Sequence, residues 1–129
     1  MRAKLVDEIL NEENETGANT SWTSTIKGKE ITISLNDVNN YLDKNDVKVQ
    51  SIDIDSIKSL LIKTKRDEKR VQAANLKYPI ILSKEKGNFT HILDGQHRVV
   101  KCIHNNIDKI KARILDLDNA PDSYKSIFK

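Results

Sequence analysis

The second half of the chain carries the pattern that most restricts its fold, because strand-like and helix-like periods follow one another there in a fixed order. Residues 78–83 are mostly apolar, as in a buried strand, and a glycine-containing turn over 84–88 separates them from a second strand over 89–93. Helical spacing then runs from Gln96 to Asn106, and alternation returns over 110–115. This order predicts strand–hairpin–strand–helix–strand, which is an α+β unit.

The first half of the chain predicts shorter elements. β-Branched residues around a Lys-Gly pair favour a hairpin over 22–35, and a short helix is expected over 36–42. Alternation over 47–54 predicts a strand with an irregularity. Asp55 is a good N-cap for a helix that we expect to run, broken or unbroken, to about Asn75. A last short helix is expected over 124–128.

Length and composition indicate one domain with a thin aliphatic core. The 129 residues are 37% hydrophobic and 32% charged, and only 5% are aromatic. We divide the chain into an N-terminal extension with the hairpin and the short helix (1–46), an α+β domain (47–116) and a C-terminal tail (117–129).

Several classes of protein and of site are disfavoured by what the sequence lacks. No apolar run approaches the ~18 residues of a membrane span, and the acidic N-terminus does not resemble an export signal, so we expect a cytoplasmic protein without a membrane partner. Cys102 is the only cysteine, which excludes an internal disulfide and a cysteine-rich zinc site, and it should lie in the core. Lys, Ile and Asn make up 45 of 129 residues, as in an AT-rich genome such as that of a phage.

The charge is distributed unevenly, although the net charge is only +3. Residues 1–15 carry two basic and five acidic groups, and residues 56–86 carry nine basic and three acidic groups. The basic groups are densest over 63–70, which is either a solvated helix face with local counter-charges or a surface that faces phosphates. The candidate phosphate contacts in this stretch are Lys65, Arg66, Lys69 and Arg70.

The segment Asp94-Gly95-Gln96-His97-Arg98 lies where a predicted strand ends and a predicted helix begins. The first amides of a helix lack intrahelical partners and carry the positive end of the helix dipole, so this junction favours anions. Gly95 lets the backbone turn sharply, and His97 and Arg98 add an imidazole and a guanidinium. These residues therefore predict a phosphate site.

Two other interpretations of this segment stay open. Asp94 can be the helix N-cap, with Arg98 paired to it or to Asp116 in a purely structural role. His91, Asp94 and His97 are spaced by three residues, but the pleat of the strand should send His91 to the face opposite Asp94. That placement disfavours a metal site, and we predict none.

Residues 78–115 resemble the ParB/sulfiredoxin superfamily. Its pattern is an apolar strand, a turn, a second strand that ends in Gly-x-x-Arg or Gly-x-His-Arg, a helix and a closing strand. Residues 47–61 look like the family's first strand and helix, so the resemblance covers about half of the chain and leaves out 1–46. The motif also resembles the one that names the DGQHR proteins, which are associated with DNA phosphorothioation. The resemblance implies a small mixed sheet with helices.

The resemblance also implies a nucleotide site. Members of the superfamily hold nucleotide phosphates at this motif, which corresponds here to Gly95, Gln96, His97 and Arg98. They use it as CTP-hydrolysing DNA clamps, as ATP-dependent enzymes of cysteine sulfinic acid repair or as serine kinases. Gln96 stands where sulfiredoxins place a reactive cysteine, so that chemistry is not expected. The arginine-rich motif of the partition proteins is also missing, which argues against a partition role.

Two functions from different classes are consistent with these residues. The first is an NTP-dependent hydrolase or phosphotransferase that binds ATP or CTP with Mg²⁺. His97 would then contact phosphate, Asp94 would serve as base or magnesium ligand, and Glu68 is a second candidate base. The alternative is a non-catalytic module that binds DNA through 63–70 or a protein partner through the N-terminal segment. A nuclease is a weaker alternative, because nothing resembles the several carboxylates of a two-metal site.

Overall fold

The structure is a computed structural model that describes residues 20–61 and 68–128. Six strands and four α-helices lie within these described residues, which confirms the α+β prediction. In chain order they are β1 (Ser21–Ile26), β2 (Lys29–Ser34), α1 (Leu35–Lys44), β3 (Gln50–Asp53), α2 (Glu68–Ala73), β4 (Ile80–Glu85), β5 (Asn88–Asp94), α3 (Gln96–His104), β6 (Lys109–Asp116) and α4 (Asp122–Phe128). None of these helices is long and apolar enough to cross a membrane.

β1 and β2 form the predicted hairpin, which has a two-residue turn. Lys27 and Gly28 in this turn have φ angles of 52° and 79°, and such left-handed values match the twist of the flanking strands. α1 follows directly and is capped by Ser34, whose hydroxyl accepts a hydrogen bond from the Asp37 amide at 3.1 Å. The Asp37 carboxylate in turn accepts one from the Ser34 amide at 2.9 Å. This capping box fixes where α1 begins.

The larger sheet has four strands in the order β3-β6-β4-β5. β4 pairs in parallel with β6 and antiparallel with β5, and β3 pairs antiparallel with β6. Because β6 lies on the far side of β4 from β5, the connection through α3 crosses one face of the sheet. Ile81 of β4 is in register with Asp94 of β5, so the start of β4 lies beside the first turn of α3.

Alternate residues of the central strands enter two apolar layers on opposite faces of this sheet. Ile81 and Leu115 belong to the layer that also contains buried residues of the hairpin, α1 and α4. Ile80 and Leu82 belong to the other layer, which also contains buried residues of α3. The described part of the predicted extension, residues 20–46, therefore shares a core with the sheet.

The helix predicted from Asp55 to Asn75 is wrong in its first half. The chain instead forms two 3₁₀ turns, Ile54–Ser56 and Lys58–Leu60. Residues 62–67 lie outside the described residues, and α2 is described over Glu68–Ala73. Ile54 and Ile57 are both buried, and a spacing of three residues suits a 3₁₀ turn. Leu61 is extended, with a ψ of 134°, and this ends the second turn.

One predicted strand is shorter than expected, and another is displaced along the chain. The strand predicted over 47–54 is confined to β3, and β4 begins at Ile80 rather than Tyr78. Pro79 has no amide hydrogen to donate to a neighbouring strand, and Tyr78 belongs to the turn before it. Tyr78, predicted to be buried, is consequently 44% exposed.

Replacing Ser34 with alanine should lower the free energy of unfolding by about 1 kcal/mol, because it removes the hydroxyl of the capping box. Urea denaturation measures the change. Ser126→Ala, at an exposed position of α4, serves as the control and should stay within about 0.5 kcal/mol of the parent protein. Equal effects of the two substitutions would contradict the role of the cap.

Candidate functional site

The predicted phosphate loop is a sharp strand-to-helix turn at Gly95. Asp94 ends β5, Gln96 begins α3, and Gly95 between them has a φ of 101° and a ψ of 24°. An L-residue rarely adopts this conformation. A Cβ atom at Gly95 would also overlap the Ile80 side chain and come within 2.9 Å of Arg98 Nη1. Both the backbone conformation and the packing therefore require glycine here.

Arg98 points into the protein. Its side chain is 0% exposed, Nη1 donates a hydrogen bond to the Pro79 carbonyl at 3.1 Å, and Nη1 lies 3.9 Å from Asp94 Oδ2. The Asp94 side chain is only 9% exposed. Of the interpretations left open by the sequence, the structure contains the pairing of Arg98 with Asp94 and not the one with Asp116. Asp116 instead accepts hydrogen bonds from the Asp118 amide and the Asn119 side chain.

The burial of Arg98 changes the role expected for its guanidinium. A side chain without solvent exposure does not offer its nitrogens to a phosphate at the surface, so in this conformation Arg98 supports the loop from behind. Gln96 and His97, the first two residues of α3, are partly exposed. They are the side chains of the motif that an anion at the surface of the loop can reach.

α3 also holds the segment that precedes β4. Lys101 Nζ donates hydrogen bonds of 2.7 Å to the Gln72 and Ala74 carbonyls, and Arg98 Nη1 donates to the Pro79 carbonyl. Arg98 and Lys101 are three residues apart and lie on neighbouring turns of the helix. The chain between Ala74 and Pro79 is therefore attached to α3 at both of its ends, which no pattern in the sequence predicted.

The structure does not bring Glu68 to the loop. Its Oε1 lies 3.7 Å from His104 Nδ1, and His104 is the last residue of α3, whereas the loop is at the start of that helix. Nine helical residues span about 13 Å, so Glu68 does not approach the loop as a base. Lys69 and Arg70 are exposed on α2, as a phosphate-facing surface requires, and Lys65 and Arg66 lie outside the described residues.

Three other residues that could carry chemistry, Cys102, His91 and His104, lie outside the loop. Cys102 is buried in the core, as predicted, and burial raises the pKa of its thiol despite the neighbouring Lys101 ammonium group. His91 is exposed on β5, and His104 is exposed at the end of α3. Within residues 20–61 and 68–128, no three His, Cys, Asp or Glu side chains are grouped as metal ligands.

Comparisons of the chain with protein-family models, with curated proteins and with solved structures gave no match in any of the three. The resemblance to the ParB/sulfiredoxin superfamily therefore stays a prediction.

Gly95→Ala should destabilise the protein more than Gly87→Ala. Both glycines have positive φ angles, 101° and 82°, so both substitutions introduce backbone strain of about 1–2 kcal/mol. Only at Gly95 does the new methyl group also meet Ile80 and Arg98, since the space around Gly87 is open. We expect an additional loss of about 1–3 kcal/mol at Gly95, measured by urea denaturation. Equal losses would show that the packing of the loop tolerates a side chain.

Arg98→Ala should lower the free energy of unfolding by about 3–5 kcal/mol, because it leaves the Asp94 carboxylate in the interior without this guanidinium. Arg113→Ala is the control. Arg113 donates hydrogen bonds to the Val47 carbonyl and pairs with Asp43 at 2.9 Å, but the Asp43 side chain is largely exposed. Chemical denaturation should give a clearly smaller loss for this substitution. A loss at Arg98 no larger than at Arg113 would contradict a supporting role for the buried pair.

Proposed function

We propose that the protein binds a nucleoside triphosphate at the loop from Asp94 to Arg98 and that it is an NTP-dependent hydrolase or phosphotransferase. The observation that carries the proposal is the strand-to-helix turn. Gly95 is the residue before α3, a nine-residue helix, and it brings no capping side chain of its own. Backbone amides at such a position are the groups that bind phosphate in many nucleotide sites.

The local charges support an anion at this position. The N-terminal end of α3 carries the positive end of the helix dipole, and the buried Arg98 adds a fixed positive charge behind it. Asp94 offsets part of that charge. His97, in the first turn, adds an imidazole that donates a hydrogen bond to phosphate. In this proposal the amides and His97 contact the phosphates, and Arg98 acts from the interior.

Phosphoryl transfer requires charge stabilisation, a magnesium ion and a group that orients the acceptor. Magnesium on nucleotides is usually held by one or two carboxylates together with the phosphates, and Asp94 is the carboxylate that the loop supplies. The ion would neutralise charge that develops on the transferred phosphoryl group. We assign His97 the part of a phosphate contact. Asp94 is the predicted magnesium ligand or base, but its side chain is only 9% exposed and pairs with Arg98, so in this conformation it maintains the turn and the phosphates would hold the ion. Glu68 takes no part, because it lies at the other end of α3.

A second function, a non-catalytic module that binds DNA, is favoured by one observation. α2 buries Val71 and exposes Lys69 and Arg70, so two of the four predicted phosphate contacts face solvent. DNA contacts of this kind release counterions, and their affinity falls steeply as the salt concentration rises. That dependence separates this function from binding of a single nucleotide.

Binding of nucleoside triphosphates should raise the melting temperature of the protein, and ATP or CTP with Mg²⁺ should be turned over with release of phosphate or labelling of an acceptor. His97→Ala should weaken nucleotide binding by about 10- to 150-fold, because a hydrogen bond to a charged group contributes about 1.5–3 kcal/mol. His91→Ala, which removes an exposed imidazole from β5, is the matched control and should leave binding unchanged. Thermal shift and calorimetric titration measure both variants.

The same panel distinguishes the two functions. A DNA duplex that stabilises the protein at low salt, without any effect of nucleotides, would favour the second function. Stabilisation by nucleotides without turnover would support the site and contradict the enzyme. No stabilisation by any of the four nucleoside triphosphates, with or without Mg²⁺, would refute the proposed site.

A further inference from the structure

We propose that Tyr78 stacks on the base of the bound nucleotide and so makes the site selective for nucleoside phosphates over plain polyphosphates. This inference rests on the proposed function, because the phosphates of the nucleotide would bind the loop and its base would bind Tyr78. It adds a residue that the motif does not contain.

Tyr78 differs from every other aromatic residue of the protein. The chain has six aromatic residues, and all of them lie within the described ranges. Trp22, Tyr41, Tyr124 and Phe128 pack together in one apolar layer, with ring centroids of the contacting pairs 4.9–6.0 Å apart, and Phe89 packs against the other layer. Tyr78 belongs to neither layer and is 44% exposed. Its side chain is therefore accessible to a ligand.

Tyr78 also lies beside the phosphate loop. The next residue, Pro79, accepts the hydrogen bond from Arg98, and Ile80 is the side chain that a Cβ at Gly95 would meet first. The start of β4 is next to the end of β5, where the loop begins. A nucleotide whose phosphates occupy the first turn of α3 would thus have the Tyr78 ring as the nearest exposed aromatic surface of residues 20–61 and 68–128.

The turn that carries Tyr78 is held in place before any ligand binds. Its amide donates to the Asn75 carbonyl at 3.2 Å, and the Lys77 amide donates to the Asn75 side chain at 2.9 Å. Lys101 holds the Ala74 carbonyl at one end of this turn, and Arg98 holds the Pro79 carbonyl at the other. Little conformational entropy is then lost when a base stacks on the ring.

A stacked tyrosine recognises an aromatic ring without reading its hydrogen-bonding edge. Every nucleobase has such a face, so Tyr78 should favour nucleotides over inorganic polyphosphate and discriminate little among the bases. Truncation of a stacking side chain typically weakens binding by about 5- to 100-fold. The phosphate contacts at α3 should not change.

The test is a calorimetric titration of the full chain with ATP, CTP and inorganic tripolyphosphate, each with Mg²⁺. We expect Tyr78→Ala to weaken binding of both nucleotides by about 5- to 100-fold and to leave tripolyphosphate binding within twofold. Tyr78→Phe, which keeps the ring, should bind like the parent protein. Val49→Ala truncates another exposed hydrophobic side chain, 51% exposed, and should leave the binding of all three ligands unchanged. Melting temperatures confirm that each variant is folded.

The outcomes separate the two proposals. If the parent protein binds tripolyphosphate and nucleotides equally well, or if Tyr78→Ala binds nucleotides normally, the stacking role is wrong and the phosphate site stands. If Tyr78→Ala weakened the binding of all three ligands equally, the stacking role would also be wrong, because the substitution would then act on the phosphate site. If the parent protein binds none of them, the proposed function itself fails.

Discussion

One buried guanidinium fixes the part of the fold on which the candidate site depends. Arg98 of α3 contacts the carboxylate at the end of β5 and the carbonyl just before β4, so a helix and two neighbouring strands meet at a single side chain. A charge without solvent exposure is stable only where such partners are supplied. Gly95 completes the arrangement, because any larger residue would enter the space between Ile80 and this guanidinium.

The same arrangement gives the motif two sides with different functions. Asp94, Gly95 and Arg98 maintain the turn, whereas Gln96 and His97 are partly exposed at its surface. Substitutions of Asp94, Gly95 or Arg98 should therefore lower stability first. A loss of ligand binding in such a variant does not show that the replaced residue contacts the ligand. Gln96 and His97 are the positions at which binding can change while the fold is kept. A guanidinium that faces a phosphate directly would have combined both functions in one residue.

Local patterns in the sequence predicted the elements whose signals are short-range. The hairpin over 22–35, the helix at Gln96 and the pairing of β4 with β5 follow from turn residues and apolar spacing. The direction of Arg98 stayed open between a phosphate contact and a structural pair, although a signal for the inward direction exists: Arg98 precedes Cys102 by four residues and shares its apolar helix face. The contacts of Lys101 and the true position of Glu68 depend on how α2 packs on α3, which no local pattern encodes.

The spacing of residues along α3 indicates that the conformation of the site changes little when a ligand binds. Positions 95, 98 and 101 follow one side of the helix at intervals of three, and they set the loop, the entry to β4 and the turn before it. The loop from Asp94 to Arg98 and the turn before β4 are thus attached to the same helix, and they cannot move apart without breaking these hydrogen bonds. A ligand that spans them meets a preformed surface, so its affinity should depend on the contacts themselves rather than on closure of the chain around it.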